Sequence, residues 1–533
     1  MAEKNTFYIT TPIYYVNDKP HIGHAYTTIM ADVALRFHTS INRTKSLMTG
    51  AGEIIRSKKV NNVEGLLMTG TDENSLKTIQ AAEKAKKSPE EYLKEMNDIW
   101  FDTWEKLGLS IVRSNKKESF IHTTEKRHIR AVEKLYGLIK AKGDIYKGKY
   151  IGLYCVGCEA FKKESDLVDG KCPDHKEALK EIEEDNLFFK LSEYREKLLE
   201  YIKTNPDFIK PEKRKREIIN YIKDEMEDIS ISRSGDIKWG IPVPGEKDHV
   251  FYVWFDALIN YISALDFGID NDYKMKKFWP GTHLIGKDIT KFHCALWPAM
   301  LMSAGLPLPK QIYVHGFFTL NGKKISKSLG NTIDPLELSE KYGNDVLRYF
   351  MLREIPFGDD GDFSIKKLEA RYKGELADGL GNLLSRTVTM IEKYTENKKV
   401  PFKTIYSKTQ NKELRFNEEE VKKYYENFEF DKVIKVIWEK VDKTNKYIAD
   451  TEPWTLFKKN KKEKVYEILW NIVNALVYIA YYLKHIMPET ENEIFKQLGI
   501  DVKNNKLDIN EIQKAEPLFP RLEDPSTGSG QDK

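Results

Sequence analysis

The sequence predicts an α/β fold built on a parallel sheet, which an insertion interrupts and an all-α domain follows. Strand-like and helical segments alternate over about the first 320 residues, a pattern typical of parallel sheets covered by helices. A cysteine cluster at 155–172 falls inside this part of the chain and indicates an insertion. From about Ser364 onward, long charged segments with a helical period replace the strands, which indicates a separate helical domain.

The first strand and the first helix follow from residue type and spacing. Residues 7–16 are rich in aromatic and β-branched side chains, which predicts a buried strand. The segment from His24 to about Thr39 predicts a helix, because Ile29, Val33 and Phe37 recur every four residues on one face.

Later elements are predicted by the same criteria. The capping box Ser88-Pro-Glu-Glu91 predicts the start of a helix that runs through Trp104. Further strands are predicted at 65–70, 250–255, 283–286 and 311–316. In the all-α domain, a helical bundle, helices are predicted at 375–395, 417–449 and 464–486.

Composition excludes several classes of protein. The chain has 533 residues, 41% of them hydrophobic and 32% charged, which is typical of a folded protein with several structural units. The formal net charge is only +4, so the molecule is not a general polycation. No apolar run approaches the ~18 residues of a membrane span, and the amino terminus has no signal or transit segment. We therefore expect a cytoplasmic protein without membrane association.

Three of the four cysteines lie in a short cluster. The pairs Cys155-Val-Gly-Cys158 and Cys172-Pro-Asp-His175 are separated by 13 residues. Two such knuckles can close a tetrahedral Cys3His site around Zn²⁺, and ordinary buried thiols are the alternative. Because protein ligands would fill all four positions, we expect a structural zinc ion rather than a catalytic one. Thiolate ligands also favour a reducing compartment.

Two histidines, His21 and His24, lie near the amino terminus in His21-Ile-Gly-His24. Closely spaced imidazoles suggest a metal site or a phosphate site, and a structural turn is the third interpretation. The stretch joins the first predicted strand to the first predicted helix, where nucleotides bind in open parallel sheets. Gly23 would let backbone come close to a ligand. The complete zinc set at 155–175 and the lack of a third ligand near His24 weigh against a metal.

A second cationic element, Gly322-Lys-Lys-Ile-Ser-Lys-Ser-Leu-Gly330, follows a strand-like segment at 311–319. It places Lys324 and Lys327 in a short loop with hydroxyl groups. A mobile lysine can stabilise the charge that develops on a departing pyrophosphate. An exposed basic loop without function is the alternative for this composition taken alone.

Together the two elements resemble the HIGH and KMSKS signatures of the class I aminoacyl-tRNA synthetases. Their order, separation and sheet context match, and Ile325 stands where methionine is common. Several further stretches narrow the resemblance to the methionyl-tRNA synthetase family over about residues 5–490. These are 11–17 (TPIYYVN), 69–73 (TGTDE), 229–233 (ISISR), 239–244 (WGIPVP), 252–261 (YVWFDALINY) and 283–289 (HLIGKDI) followed by Phe292-His293.

The resemblance implies a Rossmann-type catalytic sheet and a two-step ligase reaction. The carboxylate of L-methionine attacks the α-phosphate of ATP, accompanied by Mg²⁺, and the methionyl group then passes to the 3′ end of tRNA(Met). His21 and His24 would donate hydrogen bonds to phosphate, and Lys324 and Lys327 would close over the β- and γ-phosphates. The implied ATP-binding residues are Gly23, Gly286, Lys287, Asp288, Ile325, Ser326 and Ser328.

The implied methionine pocket is apolar and aromatic, as a flexible thioether requires. The hydroxyl of Tyr15 and the imidazole of His293 could point donors at sulfur, and Asp72 could hold the ammonium group. Plain core packing is the alternative for Trp254 and Tyr261. The full implied set is Ile13, Tyr15, Asp72, Trp254, Ala257, Leu258, Tyr261, Ile289 and His293.

The helical domain would read the anticodon. Asn382 and Arg386 match the family's base contacts and share a helix face, being one turn apart. Trp454 matches the family's stacking residue, and unstacked bases read by an aromatic face and an amide are expected RNA chemistry. A core position is the alternative for Trp454.

Two features depart from the family pattern. The family usually continues Thr-Asp-Glu with His-Gly, whereas this chain has Asn74-Ser75. The stretch at 42–62 is also longer than the usual connection between helix and strand. An enlarged surface loop is the favoured explanation, because lengthening such a loop costs little folding free energy. Both departures put the local geometry near Asp72 in question.

The sequence thus predicts a division into six segments and a small set of partners. The segments are a first Rossmann half at 1–117, the connective insertion with its zinc knuckle at 118–238, a second Rossmann half at 239–320, the KISKS loop and stem-contact region at 321–365, the anticodon domain at 366–520 and a disordered tail at 521–533. No dimerisation or general tRNA-binding module is apparent, which favours a monomer. A leucine- or cysteine-specific synthetase and an inactive RNA-binding scaffold are the rival interpretations.

Overall fold

A computed structural model describes residues 5–40, 63–110, 120–155, 160–162, 167–173, 177–234, 239–269, 271–320, 322–324, 332–399, 411–503, 506–513 and 515–522. The chain forms two compact units. The first comprises Met1–Leu35, Glu64–Phe317 and Lys324–Leu336, and the second Arg36–Val63, Phe318–Lys323 and Glu337–Lys533. The finer six-segment division stays a prediction. The predicted loop at 42–62 and all but two residues of the predicted tail lie outside the described residues.

A parallel sheet forms the centre of the first unit, which confirms the predicted α/β class. Its strands are β1 (Thr6–Thr10), β2 (Tyr14–Tyr15), β3 (Glu64–Asp72), β4 (Phe120–His122), β8 (Ile209–Lys210), β12 (Thr282–Gly286) and β13 (Gln311–His315). The order is β2-β3-β1-β12-β13-β8, and β4 also pairs with β3. Every pairing in this sheet is parallel. Core strand residues such as Ile9, Leu67 and Leu284 are fully buried, as expected for a sheet covered on both faces.

The predicted continuous strand at 7–16 is wrong in one detail, because it is interrupted at Thr11-Pro12-Ile13. Both pieces still pair with β3: Thr6–Thr10 runs beside residues 64–68, and Tyr15 lies in register with Asp72. Proline lacks the amide hydrogen that a ladder needs, which accounts for the break.

Both predicted helices of the first unit are present, and one of them begins where it is predicted to begin. Helix α1 spans Ile22–Ser40, so the predicted helix from His24 begins two residues earlier. Helix α3 spans Pro89–Lys106 and begins with the predicted capping box between Ser88 and Glu91. The other helices of this unit are α2 (Leu76–Lys84), α4 (Lys126–Ala141), α5 (Arg195–Thr204), α6 (Glu212–Asp224), α7 (Val253–Ala257), α8 (Asn260–Ser263), α9 (Tyr273–Phe278) and α10 (Trp297–Ser303).

The predicted insertion contains an antiparallel sheet that is distinct from the parallel one. Its order is β6-β5-β7-β9, with β5 at Ile145–Cys155, β6 at Ala160–Lys162, β7 at Lys180–Phe189 and β9 at Ile229–Ser230. A two-stranded sheet follows, formed by β10 (Ser232–Ser234) and β11 (His249–Phe251).

The predicted strand at 250–255 is wrong in its second half. The strand ends at Phe251, and helix α7 begins at Val253. A short run of apolar and aromatic residues fits a strand and a buried helix equally well, so periodicity could not separate them. The change matters because it places Trp254 and Ala257 on a helix.

The second unit is mostly helical, as predicted. The predicted helix at 375–395 consists of a π-helical stretch, Tyr372–Gly381, and α14 (Asn382–Tyr394). The predicted helix at 417–449 is broken at 427–429. The other helices are α11 (Pro335–Tyr342), α12 (Asn344–Glu354), α13 (Ile365–Arg371), α15 (Glu418–Glu426), α16 (Phe430–Thr451), α17 (Pro453–Lys458), α18 (Lys462–Leu483) and α19 (Pro488–Gln497).

Short strands outside the parallel sheet complete the structure. They are β14 (Phe318–Leu320), β15 (Lys323–Lys324), β16 (Gly361–Phe363), β17 (Ile500–Lys503) and β18 (Lys506–Ile509). The hairpin β17–β18 was not predicted. No helix in the described part of the chain has the length and apolar character needed to cross a membrane.

Candidate active site

His21 and His24 lie where the parallel sheet meets the amino end of α1. His21 precedes the first turn, and the amide of His24 donates to the carbonyl oxygen of His21 at 2.9 Å. The two rings stack with their centroids 3.7 Å apart and their planes 22° apart. Both side chains are half-buried. The predicted pair is therefore a single structural unit at a strand end, the position at which parallel sheets bind nucleotides.

The hydrogen bonds of the pair fix the tautomer of each ring. The Gly23 amide donates to Nδ1 of His21 at 3.0 Å, and the His21 amide donates to Nδ1 of His24 at 3.2 Å. A nitrogen that accepts a hydrogen bond carries no proton, so Nε2 bears the hydrogen in both rings. This is the tautomer that donation from Nε2 to a phosphate oxygen requires.

Gly23 leaves space for the His21 ring, whereas the sequence predicts that it leaves space for a ligand. A β-carbon at this position would lie 2.9 Å from Cε1 and 3.1 Å from Nδ1 of the His21 ring. The glycine therefore makes room for the imidazole to fold back over the helix start.

Two aromatic side chains, Tyr14 and Trp100, pack against the His24 ring. The His24 ring lies 4.8 Å from Tyr14 and 4.9 Å from Trp100, measured between centroids. Tyr14 and Trp100 stack on each other at 5.1 Å, and the Trp100 indole donates to the Asp18 carbonyl oxygen at 3.0 Å. Sequence reasoning did not assign these two aromatic residues to the site, because Trp100 lies far away along the chain.

The segment after the KISKS loop reaches the same helix start. The amide of Ile22 donates to the carbonyl oxygen of Ile333 at 3.0 Å. Lys324 ends the short strand β15. Ile325, Ser326, Lys327 and Ser328 lie outside the described residues, and so does the side chain of Lys324.

A tight turn follows β12 at the same edge of the sheet. Gly286 ends the strand, and a single 3₁₀ turn, Lys287–Ile289, follows it. A β-carbon on Gly286 would lie 2.8 Å from the carboxylate oxygen Oδ1 of Asp288, so a larger residue here would displace that carboxylate. The Lys287 ammonium lies 4.8 Å from the ring centroid of Phe317. The predicted ATP-side residues 286–288 thus lie at a strand carboxyl end.

The apolar half of the predicted pocket is held together by ring contacts. The Trp254 indole stacks face to face on Phe292, with centroids 4.0 Å apart and planes 3° apart. It also meets His293 edge to face at 6.3 Å. Trp254 is half-buried, whereas Ala257, Leu258 and Tyr261 are buried. Ile13 and Ile289 pack against the same core.

Tyr261 and His293 form a short buried hydrogen bond, with 2.6 Å between the phenol oxygen and Nε2. The Nδ1 atom of His293 lies 3.0 Å from the carbonyl oxygen of Ile289, which can only accept. Nδ1 therefore carries the proton, and the Tyr261 hydroxyl donates to Nε2. Burial lowers the pKa of His293 to about 4, so the ring is neutral at pH 7. The N–H of His293 donates to the Ile289 carbonyl oxygen. A hydrogen-bond donor to the sulfur of methionine would therefore have to come from another group in this arrangement.

Asp72 ends β3 and is 5% exposed. Its strand neighbour in register is Tyr15, whose ring also lies 4.7 Å from the Lys77 ammonium. The structure therefore places Asp72 and Tyr15, which are both predicted pocket residues, side by side on adjacent strands.

Glu73 centres a buried network that sequence reasoning missed. Its carboxylate accepts from Thr71 at 2.8 Å, from His122 at 2.8 Å, from Asn97 at 2.7 Å and from Thr124. Burial raises the pKa of this carboxyl, but the bonds from His122, Thr124 and Thr71 outweigh it and leave the pKa below its ordinary value. The network fixes the chain immediately after Asp72.

The predicted zinc ligands are described in part. Cys155 ends β5 and is 2% exposed, and Cys172 is fully buried. A tight turn with paired backbone bonds between Val168 and Lys171 leads into Cys172. Cys158 and His175 lie outside the described residues, within which no group of three or more potential metal ligands occurs.

The predicted anticodon residues lie on helices of the second unit. Asn382 begins α14 and is exposed, and Arg386 is half-buried one turn later. Trp454 lies in α17 and is 37% exposed, whereas its neighbour Pro453 is buried. An indole exposed to this degree is not a core residue.

Comparison with known proteins gives consistent results. The family profile described as tRNA synthetases class I (M) matches residues 7–54, 49–184 and 174–388. The methionine–tRNA ligase of Caldanaerobacter subterraneus subsp. tengcongensis is 42% identical over 98% of this chain and 79% of that protein. The methionine–tRNA ligase of Thermotoga maritima is 40% identical over 97% of this chain and 80% of that protein.

Solved structures agree with the sequence relatives. The Mycobacterium tuberculosis methionyl-tRNA synthetase in complex with methionyl-adenylate superimposes with a TM-score of 0.86 at 34% identity, covering 97% of this chain and 100% of that one. The apo form of the same enzyme superimposes with a TM-score of 0.79. These likenesses show that the chain belongs to the methionyl-tRNA synthetase family of class I aminoacyl-tRNA synthetases.

Proposed function

We propose that this chain is a methionine–tRNA ligase that activates L-methionine with ATP and transfers the methionyl group to tRNA(Met). In the first step a carboxylate oxygen of methionine bonds to the α-phosphorus of ATP, and the bond to the bridging oxygen breaks to release pyrophosphate. In the second step a hydroxyl of the terminal ribose attacks the acyl carbon and AMP leaves. The observation that carries the proposal is the Nε2–H tautomer of His21 and His24 at the strand end, together with family membership.

No side chain needs to act as a nucleophile in this reaction. The protein positions the two substrates and stabilises charge on the phosphates. His21 and His24 donate to phosphate oxygens, while Gly286, Lys287 and Asp288 line the nucleotide. Lys324 and Lys327, with Ile325, Ser326 and Ser328, would close over the β- and γ-phosphates, and Mg²⁺ bound with ATP would supply charge screening. The bond from Ile22 to Ile333 supports this role, because it anchors the end of that loop at the helix that carries the histidines.

Methionine would bind between Asp72 and the aromatic residues of α7 and α8. The Asp72 carboxylate pairs with the substrate ammonium, and the side chain enters a pocket lined by Ile13, Tyr15, Trp254, Ala257, Leu258, Tyr261, Ile289 and His293. The Tyr15 hydroxyl is the remaining candidate donor to sulfur, given the bond from His293 to Ile289. An apolar pocket with few polar groups suits a thioether.

A structural zinc ion would be held by Cys155, Cys158, Cys172 and His175. Burial of both described thiols and the tight turn before Cys172 suit such a knuckle. The ion would stabilise the insertion and take no part in the reaction.

The second unit would read the tRNA(Met) anticodon through Asn382, Arg386 and Trp454. The exposure of Asn382 and Trp454 supports contact with bases. We place the reaction in the cytoplasm, where ATP, tRNA and reduced thiols coexist, and we propose that the chain acts as a monomer. Light scattering that gave twice the mass of 62.1 kDa would argue against a monomer.

Amino-acid-dependent ATP–pyrophosphate exchange tests the activity. Exchange is expected to depend on L-methionine. Faster exchange with leucine or cysteine would assign another specificity, and no exchange with any amino acid would favour an RNA-binding scaffold.

A further inference from the structure

Asn74 lies where two separate parts of the chain assemble the methionine side of the site. It follows Asp72 and Glu73 at the end of β3. The Glu73 amide donates to the Thr123 hydroxyl at 2.8 Å. The Ser75 hydroxyl accepts from the Lys77 amide at 3.0 Å and caps helix α2. The backbone is thus held on both sides of Asn74, so the fold sets the direction of its side chain.

The Asn74 amide nitrogen makes two hydrogen bonds. It donates to the Asp256 carboxylate oxygen Oδ2 at 3.1 Å and to the Thr123 carbonyl oxygen at 3.3 Å. A primary amide has two N–H bonds, so both are used.

Asp256 is the buried end of this link. It has no exposed surface and lies in α7 between Trp254 and Ala257. Its other oxygen, Oδ1, has no hydrogen-bond partner within the described residues. Burial raises the pKa of this carboxyl, and the bond from Asn74 opposes that effect. A buried carboxyl with so few donors depends strongly on each of them.

We propose that Asn74 is a positioning residue for methionine: its amide ties the strand end that carries Asp72 to the helix that carries Trp254 and Ala257. The link sets the distance between the ammonium site and the side-chain pocket. This inference rests on the proposed methionine site and deepens it, because it assigns substrate selectivity to a residue outside that pocket.

The link also explains the departure from the family's usual His-Gly sequence at 74–75. A neutral imidazole offers one N–H, whereas the Asn74 amide reaches Asp256 and the Thr123 carbonyl together. Ser75 adds a helix cap that glycine provides less well. The altered stretch is therefore an alternative way of joining the two halves of the pocket.

The test is the Michaelis constant for each substrate in ATP–pyrophosphate exchange. For Asn74→Ala we expect the KM for methionine to rise about tenfold, the effect of one lost buried hydrogen bond. The KM for ATP should stay within about twofold. Preference for methionine over L-norleucine should also fall, because the pocket is no longer held at a fixed distance from Asp72. KM does not depend on the fraction of folded enzyme, so partial misfolding does not obscure the result.

Two variants serve as controls. Asn445→Ala removes a half-buried amide of the second unit, which donates to the Gly379 carbonyl oxygen at 3.3 Å. It should leave both KM values within about twofold of wild type. Asn74→His can still donate one N–H to Asp256, so its KM for methionine should stay within about threefold of the wild-type value.

Three outcomes would overturn the inference. The first is an unchanged KM for methionine in Asn74→Ala, and the second is an equal rise in the KM values for methionine and ATP. The third is a rise of the methionine KM in Asn74→His as large as in Asn74→Ala. If Asn74→Ala does not fold, Asn74→Leu is measured by the same criteria. Wild-type exchange that is independent of methionine would instead refute the proposed function itself, so the two failures are distinguishable.

Discussion

The imidazole rings of His21 and His24 stack 3.7 Å apart, and Nδ1 of each ring accepts a backbone amide hydrogen. The backbone rather than a side chain therefore decides which nitrogen carries the proton. In the proposed mechanism, this fixed tautomer would keep the Nε2 donor ready for the charge that develops on phosphate, without rearrangement during the reaction.

This geometry predicts different effects for two replacements of His24. Glutamine can place its amide hydrogens near the position of Nε2, whereas asparagine reaches only the position of Nδ1. His24→Asn should lower kcat for exchange about 10²-fold or more, the size typical of one lost charge-stabilising donor. His24→Gln should lower kcat for exchange by a clearly smaller factor. Equal loss in both variants would contradict donation from Nε2.

Buried histidines predict a dependence of stability on pH. Burial lowers the pKa of His293 and His315 to about 4 and that of His128 to about 3. In the unfolded chain each titrates near 6.5, so between pH 6.5 and 4 the unfolded state binds protons that the folded state does not. Stability should be complete above pH 6.5 and fall by about 2 kcal/mol per histidine by pH 5.

Thermal unfolding at pH 7.5, 6 and 5 measures this effect. His128→Asn should weaken the dependence on pH, because it removes one of the three groups. The same melting temperature at pH 7.5 and pH 5 would rule the explanation out.

If the proposed zinc knuckle forms, metal analysis should find one Zn²⁺ per chain. Cys158→Ser should lose most of the bound zinc and lower the melting temperature, because an incomplete ligand set binds the ion weakly. Cys294→Ser is the matched control, since Cys294 is also a buried thiol but lies outside the cluster. A wild-type protein without zinc, or the same zinc loss in both variants, would be incompatible with the site.

The exposed indole of Trp454 predicts a separation of the two reaction steps. Trp454→Ala should leave ATP–pyrophosphate exchange within about twofold and reduce tRNA charging by 10-fold or more, since one base–aromatic stack contributes about 1–3 kcal/mol. Tyr273→Ala, which removes a 60% exposed ring from the first unit, should change neither reaction. Equal loss of exchange and charging in Trp454→Ala would count against an anticodon role.

The sequence predicted the parallel sheet and the family well, because both depend on local patterns. Strand composition, the capping box at Ser88 and the paired signatures at 21–24 and 322–330 are all read within short windows. The predicted strand at 250–255 failed beyond Phe251, since its apolar run carries no period that separates strand from helix.

Long-range polar contacts were beyond sequence reasoning. The partners of Glu73 lie at 97, 122 and 124, and Asn74 bonds to a carboxylate 182 residues away. Nothing in the local sequence distinguishes Glu73, which fixes the turn, from Asp72, the proposed ammonium ligand. Only the folded arrangement brings the Asn74 amide within 3.1 Å of the Asp256 carboxylate.

Methionine-dependent ATP–pyrophosphate exchange in wild type, Lys327→Ala and Lys310→Ala tests the central claim most directly. Lys310 is an exposed lysine of the first unit, outside the proposed site. We predict exchange that requires methionine, is reduced at least about 10²-fold in Lys327→Ala and is unchanged in Lys310→Ala. Exchange that proceeds without methionine, or that survives in Lys327→Ala at the wild-type rate, would contradict the account.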